Sequence, residues 1–106
     1  MTYQLSLLYT TFGSKETAIR ISRDLLEQQL IACVNILEGT HSLYRWQGRV
    51  EENKETIALY KTTAEKVPAL IAALENLHPY DVPTMLEIPI NRANDTFLNW
   101  VQESVR

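Results

Sequence analysis

Two apolar stripes of helical period, each flanked by apolar runs of strand length, predict an α+β fold for this chain. It has 106 residues and no linker, low-complexity tract or internal repeat, so residues 1–106 are expected to form a single domain.

Tyr3 to Thr11 alternates as a strand does, and Gly13-Ser14 then offers a turn and an N-cap. The helix that follows carries Glu16 in its first turn, where a carboxylate meets the positive end of the helix dipole. Ala18, Ile21, Leu25 and Leu26 form its apolar stripe. It has to end near Gln28-Gln29, because Leu30 to Leu37 is a nearly continuous apolar run of strand length. Glu38-Gly39 breaks this run, Ser42 to Trp46 resumes it with β-favouring residues, and Gln47-Gly48 is a tight turn with extended chain beyond. Thr56 to Thr62 is the next strand. Thr62 and Glu65 have the spacing of a capping box for a second helix, with Pro68 in or just past its first turn.

Val67, Leu70, Ile71, Leu74 and Leu77 repeat at three and four residues, the spacing of one packed helix face. The connector His78-Pro79-Tyr80-Asp81-Val82-Pro83 stops this helix, its prolines biasing His78 and Val82 toward extended geometry. Met85 to Ile90 completes a second β-α-β unit, Pro89 placing its far end at an edge or leaving the sheet. Asn94 or Asp95 caps a last helix, with Phe97, Leu98, Val101 and Val105 on one side.

The order β-α-β-β-α-β plus a C-terminal helix is the split β-α-β arrangement of a ferredoxin-like sandwich. Right-handed crossovers put the first and third strands in the middle and make the second and fourth edges, with the first two helices on one face. Lengths add a functional expectation. A helix from Ala64 to Leu77 spans about 20 Å, whereas extended chain from Leu30 to Trp46 reaches about 50 Å. The far part of the hairpin, with Leu43, Tyr44, Trp46 and Val50, therefore outruns the helices as an exposed aromatic ribbon. An open edge of that kind predicts self-association.

The net charge is only −3, with acidic and basic residues interspersed, which argues against a nucleic-acid or anionic-membrane partner. No apolar run approaches the roughly 20 residues that span a bilayer. Cys33 is alone, and Met1-Thr2-Tyr3-Gln4 lacks the layout of a signal peptide, so a cytoplasmic location is expected.

Little in the chain points to an enzyme: no nucleophile is visibly matched to a base, and the three glycines are isolated. Cys33, His41 and His78 are, with Met1 and Met85, the soft or borderline metal ligands. They form no local motif, so any site has to be assembled by folding, and a thiolate with an imidazole suits copper or zinc. Against this, a cysteine inside an apolar strand ordinarily packs as a small hydrophobe. Glu51, Glu52 and Glu55 supply further oxygens or simply a solvated rim. Tyr44, Trp46 and Tyr80 with Lys61 and Glu55 suit a pocket for a small anionic or polar ligand, or a subunit interface with a few ion pairs; the aromatic content favours the interface.

Five stretches follow one another in a specific order: Ala32-Cys33-Val34-Asn35-Ile36; Ser42 through Glu51; Glu55 with Leu59-Tyr60-Lys61-Thr62; His78-Pro79-Tyr80 with Pro83; and Phe97-Leu98-Asn99-Trp100. In order and spacing they resemble the CutA family, the divalent-cation tolerance proteins, across almost the whole chain. The resemblance implies a ferredoxin-like subunit in a tight homotrimer with long hairpins packed across neighbouring copies. It implies a response to divalent cations, copper among them, with His78 and Cys33 as the metal ligands, and no established reaction. The family's recurring polar and aromatic set maps to Trp46, Glu51, Glu55, Lys61, His78 and Tyr80, expected to converge near a subunit boundary, and Tyr44 and Trp100 join them as expected interface or pocket residues. The chain departs from some bacterial relatives in having Tyr9 and Leu77 where they carry a cysteine and a second histidine, and Thr84 and Glu38 at two further motif positions. Metal binding is accordingly expected to be weak. Two alternatives stand beside this reading: a trimeric small-molecule sensor built like the PII signalling proteins, and a purely structural scaffold trimer.

Overall fold

The computed structural model describes residues 4–106, so Tyr3, expected to open the first strand, and Met1 lie outside the described residues. The elements are β1 (Leu5–Phe12), α1 (Lys15–Glu27), β2 (Cys33–Trp46), β3 (Arg49–Thr63), a 3-10 turn (Ala64–Lys66), α2 (Val67–Leu77), β4 (Leu86–Ile90) and α3 (Asp95–Ser104). The sheet order is β2-β3-β1-β4, all neighbours antiparallel, with β2 and β4 at the edges as the crossover rule requires.

Ser14 caps α1 by accepting a hydrogen bond from the Thr17 N–H. Ala18, Ile21, Ser22 and Leu25 are the buried face of that helix. Leu26, expected in the stripe, is 41% exposed, because it lies about 100° around the helix from Leu25. The helix ends at Gln28, and Gln29 takes a left-handed φ of 57°. Residues 30–32 lead into β2 rather than belonging to it. The Leu30 carbonyl accepts a 2.8 Å bond from the Thr62 hydroxyl, and the Ala32 N–H donates to the Lys61 carbonyl at 2.8 Å. Thr62 is therefore no helix cap; its side chain ties the α1–β2 connection to β3, and α2 starts after the 3-10 turn with Pro68 in its first turn.

Side-chain alternation gives the sheet two different faces. Leu8 and Phe12 of β1 and Ala58 and Tyr60 of β3 form the main core with Ala18, Ile21 and Leu25 of α1 and Val67, Leu70 and Leu74 of α2. Within it the Tyr60 and Ser22 hydroxyls are hydrogen-bonded at 3.1 Å, and burial pushes the Tyr60 phenol up to about 12. On the opposite face α3 covers only one end, where Val101 and Val105 pack with Leu5 and Ala32 and where Phe97, Leu98 and Ile90 close the edge of the cluster. The rest of that face has no helix over it. Leu7, Tyr9, Ile57 and Leu59 are half-buried there, and Leu37, Leu86 and Ile88 are exposed.

Glu38-Gly39 does not end the strand, as the sequence leads one to expect; it is a bulge. Leu37 pairs with Ile57 but Thr40 pairs with Glu55, so three steps on β2 match two on β3, with Gly39 at φ 80°. The extra residue exchanges the two faces of β2. Cys33, Asn35 and Leu37 lie on the open face before the bulge, and Thr40, Ser42, Tyr44 and Trp46 lie on it afterwards. The hairpin then runs on to a two-residue turn at Gln47-Gly48, both at positive φ, the geometry that matches strand twist. This projection makes the molecule long, 45 × 29 × 23 Å.

Candidate functional site

The connector after α2 is held where its sequence chemistry is richest. His78 caps the helix, its N–H donating to the Leu74 carbonyl at 2.8 Å, and its ψ of 131° is the extended geometry imposed by Pro79. The ring is 7% exposed and stacks on Phe12 with centroids 4.6 Å apart and planes 11° from parallel. Its Nε2 lies 2.8 Å from the Thr11 carbonyl oxygen, and the Tyr80 N–H lies 3.2 Å from Nδ1. A carbonyl can only accept and a backbone N–H can only donate. The ring is therefore neutral, protonated on Nε2 and bare on Nδ1. Burial lowers the His78 pKa, and the Thr11 bond and the Glu55 carboxylate only partly offset it.

From His78 the chain turns Tyr80 across the end of β1. A Cβ on Gly13 would sit 3.5 Å from the phenol oxygen, in ordinary contact, so the ring passes close to this position. The phenol donates a 2.8 Å hydrogen bond to Glu55 Oε2, and burial first, then this bond and charge, raise its pKa. Glu55 is the β3 partner of Thr40, immediately beyond the bulge. His78, Tyr80 and Glu55 thus form a strut from the helix end to the root of the projecting hairpin.

The other expected site residues lie elsewhere on the open face. Cys33 and Lys61 are cross-strand partners, and the Lys61 ammonium donates to Asn35 Oδ1. Partial burial raises the Cys33 thiol pKa, and Lys61 lowers it less. Tyr44 pairs with Glu51 and accepts from Asn53 Nδ2, while Trp46 pairs with Arg49 at the tip. Trp100 is exposed on α3 and stands 5.8 Å from the Phe97 ring. His41 lies on the helix side of the hairpin, 3.8 Å from Glu52.

Within one chain the fold does not bring His78 and Cys33, the two expected ligands, together. Thr11, which holds His78, pairs with Ile57, four residues along β3 from the partner of Cys33, so the two sites are offset by roughly 13 Å along the strand and by two strand spacings across it. Both imidazole nitrogens are already hydrogen-bonded, and burial raises the pKa of the Cys33 thiol. Among the described residues no group of three His, Cys, Asp or Glu side chains is placed to hold a metal ion. A groove at the other end of the molecule, lined by Gln4, Thr63, Lys66 and Gln102 among others, contains none of the expected site residues.

The His78 geometry fixes a pH dependence. The folded pKa lies below the ordinary 6.5, so the stability gained by holding the ring neutral is complete above about pH 6.5 and is lost as pH falls through the depressed folded value. Urea midpoints measured between pH 7.5 and 5 should fall more steeply for this chain than for a His78→Gln variant. Parallel profiles would remove His78 from the acid response.

A four-stranded antiparallel sheet with two helices packed on one face, a largely open second face and a hairpin outrunning its own core define a ferredoxin-like α+β domain. The sequence model described as "CutA1 divalent ion tolerance protein" matches residues 6–104. The divalent-cation tolerance protein CutA of Thermus thermophilus is 44% identical over 94 residues, 89% of this chain and 91% of that protein. The crystal structure of divalent ion tolerance protein CutA1 from Ehrlichia chaffeensis superposes with a TM-score of 0.94 at 39% identity, covering 100% of this chain and 99% of that one. The Archaeoglobus fulgidus protein, described as a periplasmic divalent cation tolerance protein CutA, gives 0.93 at 36% identity over 96% and 99%. The chain belongs to the CutA1 divalent ion tolerance family.

The hydrogen bonds that occupy His78 were out of reach of sequence reasoning, because one partner is Thr11, 67 residues away. The close pass of Tyr80 by Gly13 was equally hidden, although the place of Gly13 next to the Ser14 cap marks it as a turn.

Proposed function

We propose that this chain acts in the response to divalent cations as a non-enzymatic homotrimer, its uncovered sheet face and projecting hairpin being the assembly surface. The observation that carries this reading is the continuous row of uncovered groups on one face, from Leu86, Ile88 and Leu37 to Tyr44 and Trp46. The family resemblance supports three copies, and the family name supports the link to divalent cations. Among the described residues no helix is long and apolar enough to cross a membrane. A cytoplasmic location is part of this proposal, although the Archaeoglobus relative is described as periplasmic.

Binding of copper or zinc is weak in this reading. An ion approaching His78 has to displace the Tyr80 N–H or the Thr11 bond, and one approaching Cys33 has to displace a proton. The two-residue turn at the tip of the hairpin leaves no long loop to close over a small molecule, which weighs against the PII-like reading. Native mass spectrometry of metal-free protein, before and after one equivalent of copper or zinc, tests both parts. A trimer that stays bare is expected. A monomer would overturn the assembly, and uptake in steps up to three ions would overturn the weak binding.

A further inference from the structure

We propose that Lys61 and Glu51 form an ion pair between copies, the hairpin of one chain supplying the carboxylate that lets the next chain's open sheet face be covered. The inference rests on the assembly reading above and adds to it the charge that specifies the contact.

Lys61 lies on the open face, beside the end that α3 covers. Its in-register neighbours there are Leu7 and Cys33, and along its own strand Leu59 and Thr63. Its hydrogen-bond partner is the neutral Asn35, and among the described residues no carboxylate lies within ion-pair distance. In water this costs nothing. Under a second copy the ammonium loses its hydration, and an unpaired buried cation is expensive. The covering surface must therefore bring an anion.

The hairpin offers four carboxylates, and three have partners of their own. Glu38 meets Lys15 at 3.8 Å, Glu52 meets His41 at 3.8 Å, and Glu55 accepts the Tyr80 phenol at 2.8 Å. Glu51 has no such partner among the described residues. By alternation along β3 it shares the open face with Lys61, and it flanks the Tyr44 ring that would enter the same interface. The two cannot meet within a chain, because they are ten residues apart on one extended strand, roughly 33 Å. The hairpin beyond the bulge runs seven residues, roughly 23 Å, enough to cross the four strands of a neighbouring sheet. Complementary lone charges on one self-associating face also favour one register, the one that brings Glu51 of one copy to Lys61 of the next.

The test uses Lys61→Met, Lys61→Glu, Glu51→Gln and the charge-swapped pair Lys61→Glu with Glu51→Lys, followed by native mass spectrometry and thermal denaturation, with circular dichroism to confirm folding. Each single variant is expected to lower Tm by roughly 5 °C or more and to shed subunits, and the swapped pair is expected to recover most of what Lys61→Glu alone loses. A Lys61→Met protein as stable as the parent, or more so, would overturn the pairing, as would a swap that recovers nothing. Stabilisation by added sulfate that needs Lys61 but ignores Glu51 would also overturn it, making the counter-ion a free one. If the parent chain is a monomer the assembly reading falls as well; if it is a trimer indifferent to these changes, only the ion pair does.

Discussion

Replacing Phe12 with alanine is expected to destabilise the fold by about 3–5 kcal/mol, the range for emptying a fully buried aromatic site. Phe12 is wholly inaccessible and sits at the last position of β1, where it joins the main core and stacks on His78. Its loss removes more than apolar contact. The imidazole would lose the flat surface that orients its ring, and with that orientation the bonds to Thr11 and Tyr80. Water admitted to the cavity would compete for both. Urea unfolding of Phe12→Ala and Phe12→Leu separates the effects: leucine should cost much less, because it keeps most of the volume. A loss below about 1 kcal/mol for alanine would mean that the site collapses freely and that Phe12 does not hold His78 in place.

The second large effect is expected at the hairpin. Changing both Tyr44 and Trp46 to alanine should turn the proposed assembly into monomers at micromolar concentration while leaving the core intact. The two side chains are 41% and 40% exposed in the single chain, and neither belongs to a core cluster, so little intrachain stability depends on them. Buried aromatic anchors are commonly worth 2 kcal/mol or more at an interface, roughly a thirty-fold loss of affinity for each. Sedimentation velocity reads the oligomer and circular dichroism the fold. An unchanged sedimentation profile would remove the hairpin aromatics from the interface, whatever else holds the copies together.

Periodicity made most of the fold legible. The two helices, the edge position of β2 and β4, the Gln47-Gly48 turn and the overhang of the hairpin all follow from spacing and length. The misreadings share a cause, which is that local patterns were overruled by partners distant in sequence. Thr62 and Glu65 have capping-box spacing, yet the Thr62 hydroxyl is taken by Leu30 across the sheet connection. Glu38-Gly39 reads as a break because a bulge and a turn use the same residues, and only the continued pairing with β3 separates them. The candidate site was less legible. His78 and Cys33 are metal-ligand types, but whether a nitrogen is free depends on a carbonyl and an amide that the fold supplies. The Tyr80–Glu55 and Lys61–Asn35 bonds likewise depend on strand register, which no short motif encodes.

The bulge at Glu38-Gly39 also governs how the length of this hairpin can vary. It acts as a phase shifter: because the chain gains one residue on β2 alone, every group beyond it is displayed half a repeat out of step with the groups before it. Beyond that point length can be added or removed in matched cross-strand units of two residues per strand without changing which side chains face outward. Deleting the single residue Gly39 would leave the composition of the hairpin almost untouched, yet it would send Tyr44 and Trp46 to the side now occupied by His41 and Leu43. The arm can thus change length in matched steps without altering its outward side, while a one-residue slip at its root rewrites the whole surface it presents.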